Sequence, residues 1–119
     1  MTDFVLGHYT LDAHGNPVPC NDILEWGRWM ERSSRDRTRI IASDLDESDP
    51  AKTIHVSTVF LGLDHSFGSG PPVLWETLVF GGLLDGEQRR YTSRAAALAG
   101  HQEICERVSA TLYHAKPAE

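Results

Sequence analysis

At 119 residues, with 40% hydrophobic and 24% charged side chains, the chain is long enough to bury one core, too short for two, and compositionally unlike a disordered segment. Its net charge of −6 argues against general nucleic-acid binding, which depends on Lys and Arg neutralising phosphates. Cys20 and Cys105 form no C-x-x-C pair, and no stretch reaches the roughly 18 apolar residues of a membrane span, so the expectation is one domain over residues 1–119 with reduced thiols, cytoplasmic, neither exported nor embedded.

Residues 8–11 read as a short edge strand, ended by the turn signals Gly15, Asn16 and Pro17. Asn21 or Asp22 can cap a helix over 21–32, with Glu25 in capping-box spacing after Asp22. Within it Ile23, Trp26, Gly27 and Met30 recur at helical spacing, a face suited to a sheet, with Gly27 permitting close approach. Trp29 falls on another side and is expected at the core margin.

Residues 38–42 read as a strand and 43–53 as a loop. Across this region Arg28, Arg32, Arg35, Arg37 and Arg39 precede the acidic run Asp44, Asp46, Glu47 and Asp49. Such segregation reads first as solvated faces and second as a recognition patch.

The strongest strand signal is 54–63, apolar on both alternations and therefore expected to be covered on both faces, with 73–80 similar. The intervening loop, 64–72, is rich in Gly but lacks G-K-[ST], which rules out a P-loop. A turn at 81–86, a strand at 88–91 and a helix over 93–112 capped by Thr92 or Ser93 complete the chain. The expected fold is α+β, an antiparallel sheet of about four strands packed with two helices. Its expected core includes Trp26, Met30, Val56, Phe60, Leu78, Phe80, Ile104 and Val108.

Candidate chemistry centres on the last helix, where Ala97, His101, Ile104, Val108 and Leu112 share one face. His101 is therefore on the buried side, either as a satisfied core histidine or as a base or ligand contact. Gly100 is costly inside a helix, which points to another element packing there. Glu76 alternates with Leu74, Leu78 and Phe80 and needs a partner if buried, with His101, Arg90 and Tyr91 as choices. Asp64 and His65 follow the central strand, so Glu76, His101, Asp64 and His65 make the set for a small, metal-assisted hydrolase.

No H-x-x-x-H or H-E-x-x-H spacing places two ligands on one element, and neither a metal nor a cofactor is assigned. There is no G-x-S-x-G elbow, and Cys105 beside the buried face reads as inert. A non-catalytic alternative is a phosphate site at Arg89, Arg90, Thr92, Ser93 and Arg94, where a helix start favours anions, set against arginines that simply project into water.

His8-Tyr9-Thr10-Leu11-Asp12, Pro17-Val18-Pro19-Cys20 and Glu25-Trp26 precede the run Val56-Ser57-Thr58-Val59-Phe60-Leu61-Gly62-Leu63-Asp64-His65. With Gly70-Pro71-Pro72, Glu76-Thr77, Phe80-Gly81-Gly82, Arg90-Tyr91 and Gly100-His101, this pattern resembles a family of short, largely uncharacterised accessory proteins of tailed bacteriophages and prophages. Residues 33–53 and those after Val108 lie outside the resemblance. It implies a bacterial host cytoplasm and carries no functional residue across. By analogy it points to a binding module, a counter-defence inhibitor of a host protein or a sponge for a nucleotide signal, with self-association open and an enzyme as the alternative.

Overall fold

The computed structural model describes residues 7–49, 51–68 and 70–115. Pro50 and Ser69 of the two expected loops lie outside the described residues. Eight elements follow in order: β1 (Tyr9–Leu11), β2 (Pro17–Pro19), α1 (Ile23–Asp36), β3 (Ile40–Asp46), β4 (Ile54–Phe60), β5 (Trp75–Phe80), β6 (Gln88–Tyr91) and α2 (Arg94–Ala115). β3-β4-β5-β6 form a four-stranded antiparallel sheet in chain order, and β1-β2 form a separate ribbon. The fold is α+β, as the patterning implied.

The ribbon joins the sheet through a bridge between His8 and Leu63, so the expected first strand is not a sheet edge. Asp22 caps α1, its carboxylate accepting from the backbone N–H groups of Leu24 and Glu25 at 3.0 and 3.2 Å. The helix presses on the ribbon and on Gly62. Met30 Sδ sits against the Gly62 α-carbon, where φ is +78°, and Trp26 Nε1 donates to the Gly62 carbonyl at 3.1 Å. Close approach therefore falls at Gly62, not at Gly27, whose surroundings are open. Trp26, Met30 and Trp29 are all half-buried; Trp29 lies at the core margin, as its side of the helix implied, and meets Phe60 edge-on.

β3 runs on to Asp46, through residues whose polarity suggested a loop, because its backbone pairs with β4 from Ala42–Thr58 to Asp46–Ile54. That register turns Asp44 and Asp46 towards the helix-covered face, as is common for charges that protect a sheet edge from further pairing. β4 stops at Phe60. Its even positions are buried and its odd ones half-buried, since α2 covers one face.

In β5 the buried positions are Trp75, Thr77 and Val79, which places Glu76, Leu78 and Phe80 on the outer face. Leu78 and Phe80 thus leave the expected core; Phe80 is 48% exposed. Leu74, buried just before the strand, does not continue the alternation of Glu76 and misled the phase. Two clusters fill the covered face. Ile54, Val56, Val79, Ile104 and Val108 form one; Phe60, Leu74, Trp75 and Ala97 form the other, ringed by Tyr9, Leu11, Trp29, Ile41 and Tyr91.

Candidate functional site

α2 delivers His101 where its face pattern required, at 4% exposure between the two clusters. Ser93 starts the helix, its hydroxyl accepting from Ala96 N at 3.0 Å. Gly100 faces the Tyr91 ring so closely that a β-carbon there would overlap it. Gly100→Ala should therefore cost about 1–3 kcal/mol through overpacking, against a propensity gain of about 1 kcal/mol, and lower the urea midpoint.

His101 closes a polar relay through the core. Its Nδ1 lies 2.6 Å from Thr58 Oγ1, which lies 2.5 Å from Thr77 Oγ1, and Tyr91 donates its hydroxyl to Thr77 at 3.0 Å. On the other side of the ring, Nε2 is 2.6 Å from Asp44 Oδ2, and the Cys105 thiol donates to the same oxygen at 3.6 Å. One direction satisfies every donor: Tyr91 to Thr77, Thr77 to Thr58, Thr58 to Nδ1, and Nε2–H to Asp44. Thr58 and Thr77 are both essentially sealed from solvent, which makes that completeness an energetic requirement.

Asp44 is the open end of the relay, with a side chain 69% exposed. The His101 hydrogen bond is the main cause that holds its carboxyl below the ordinary range, with Cys105 assisting against a desolvation penalty. Burial foremost, then the Asp44 charge, pushes the Cys105 thiol up to about 11, so at neutral pH it is a protonated thiol and not a nucleophile. Because Asp44 is depressed in the folded state, its stabilising contribution is present above the unfolded value of about 3.9 and lost as pH falls through the folded value. The gap in urea midpoint between wild type and Asp44→Asn should be open at pH 6 and close at lower pH. A gap that widened on acidification would contradict this linkage.

Above the relay is a pocket of about 200 Å³ lined by Asp44, Leu45, Asp46, Ile54, Val56, Cys105, Val108 and Ser109. Asp46 accepts from the Ser48 N–H and hydroxyl at 2.9 and 2.6 Å, which orients it at the rim.

The expected Glu76–His101 pair does not form, because the two lie on opposite faces of the sheet. Glu76 accepts instead from Gln88 Nε2 at 2.6 Å and Arg90 Nε at 2.9 Å. Asp64 and His65 bond within their own loop. Burial works against Asp64 as an anion, but the N–H groups of Ser66 and Val73 and the Ser66 hydroxyl outweigh it and hold its carboxyl low; His65 Nδ1 donates to the Leu63 carbonyl at 2.8 Å. The four residues of the hydrolase set are therefore not brought together.

Of the phosphate set, Arg89 faces Glu103 at 3.5 Å and Arg90 pairs with Glu76, while Ser93 caps its own helix; Thr92 and Arg94 are exposed. Two members of the site are not among the residues the sequence singles out as a set: Asp44, in a segment whose acidic composition suggests a loop, and Cys105, whose i, i+4 spacing from His101 is visible in the sequence. Compared with known proteins, the chain matches no family model, no curated protein and no solved structure.

Proposed function

We propose that the protein is a small binding module, of the phage accessory type that its residues resemble, holding a basic group of a host protein in the pocket beside α2. One observation carries this reading: Asp44 and Asp46 stand at a pocket whose wall is Ile54, Val56 and Val108. An Arg or Lys side chain has the matching distribution, an apolar stem ending in a cation. The charge of −6 adds long-range attraction for a basic partner. A phosphorylated ligand is less favoured, since Arg89 and Arg90 already face carboxylates and Arg107 pairs with Glu87 at 2.7 Å. Catalysis is less favoured because Glu76, Asp64 and His65 do not join the His101–Asp44 pair and the Cys105 thiol is held protonated. No described helix is long and apolar enough to cross a membrane.

Titration with a short arginine-rich peptide tests this. Binding should weaken with salt and fall about tenfold or more in Asp44→Asn/Asp46→Asn, while ATP added to the same protein should not bind. Saturable ATP binding lost on changing Arg89 and Arg90 would replace this reading with the nucleotide sponge, and turnover of a phosphoester would revive the hydrolase.

A further inference from the structure

We propose a site for a single Zn²⁺-class ion at Asp44 Oδ2, His101 Nε2 and Cys105 Sγ. These three donor atoms lie within 4.8 Å of one another, drawn from β3 and from one face of α2 at the i, i+4 spacing of His101 and Cys105. Nitrogen, oxygen and sulfur donors in this number suit zinc, which takes three protein ligands and leaves a fourth position for water or a bound group. The pocket opens beside Asp44 and Cys105, on the side where that fourth ligand would enter.

Two further features mark the donor set as built. His101 is buried and its remaining ring nitrogen is held by Thr58 at 2.6 Å, the kind of outer hydrogen bond that aims a metal-bound imidazole. Asp44 is largely exposed, so its carboxylate can swing from the 2.6 Å hydrogen bond to the wider separation that two ligands of one ion need. With Asp44 ionised and Cys105 as thiolate, the donors carry two negative charges and match a divalent cation.

The proton balance is explicit. Binding forms a metal–sulfur bond and releases the thiol proton to solvent. Nε2 gives up its hydrogen as Nδ1 takes one, and the relay reverses so that Nδ1–H donates to Thr58, Thr58 to Thr77 and Thr77 to the Tyr91 oxygen. The imidazole stays neutral, and one proton leaves per ion bound. This inference rests on the side chains alone and is independent of the basic partner, with which an ion at Asp44 would compete.

The test uses the Cys20→Ser protein, in which Cys105 is the sole thiol. At about pH 8.5, where the small thiolate fraction of Cys105 still reacts with iodoacetamide, one equivalent of Zn²⁺ should slow that alkylation about tenfold or more, and Co²⁺ should show a thiolate-to-metal charge-transfer band that is absent when Cys105→Ser is added. Asp44→Asn should weaken either ion about tenfold, with folding checked by circular dichroism. Equal alkylation rates with and without Zn²⁺, a Co²⁺ spectrum like that of the aqueous ion, or protection undiminished in Asp44→Asn would each overturn the site.

Discussion

His101→Ala is expected to destabilise the protein by about 2–4 kcal/mol, a large part of the stability of a domain this size. The loss has two sources. The ring is buried at 4% exposure, so its removal leaves a hole beside Ile104 and Ala97 that the rigid helix and sheet cannot fully close. Its removal also deletes the hydrogen bond at Thr58 in a place sealed from solvent, so the relay can close only by reversing towards Tyr91. At roughly 4 °C per kcal/mol, the melting temperature should fall by about 10 °C or more.

Adding Thr58→Val to His101→Ala should then cost less than the sum of the two single changes, because both remove the same Thr58–His101 hydrogen bond. Strict additivity would mean that the relay is not a coupled unit. The effect on peptide binding should be modest wherever the variant remains folded, since His101 orients Asp44 and does not itself face the pocket.

Phe60→Ala should be costlier still, about 3–5 kcal/mol. Phe60 is fully buried and meets Trp29 and Trp75 edge-on at centroid separations of 6.0 and 5.5 Å, joining the α1 and ribbon side of the molecule to the sheet. The informative control is Phe80→Ala, the same truncation on the outer face, where the residue is 48% exposed and its ring stacks on His55. That change should cost under about 1 kcal/mol. Urea denaturation of the two variants checks the assignment of faces. A larger loss from Phe80 would mean that β4 and β5 present their other faces to the helices.

The face of α2 followed from helical spacing, and Gly100 signalled the close approach that Tyr91 makes. A buried His101 needing a partner was legible too. Its partner was not, because Asp44 lies 57 residues away in sequence and sits in a segment whose acidic composition suggests a loop. Only the backbone register with β4 makes that segment a strand and turns Asp44 to the side that α2 covers, and register is a property of two segments together. Glu76 failed for a related reason. Leu74 is buried ahead of the strand, and counting it into the alternation moved Glu76, Leu78 and Phe80 to the wrong face. The expected covering of both sheet faces failed because the apolar side of α1 is used on the ribbon and Gly62.

The claim on which the functional reading depends is that the pocket beside α2 takes a basic group, and amide NMR during titration with an arginine-rich peptide tests it most directly. Shifts concentrated at residues 44–46, 54–56 and 105–109 are expected, removed by moderate salt and by Asp44→Asn/Asp46→Asn. Shifts centred on Glu76, Leu78, Phe80 and Gln88 of the outer face, with the pocket unchanged, would contradict it.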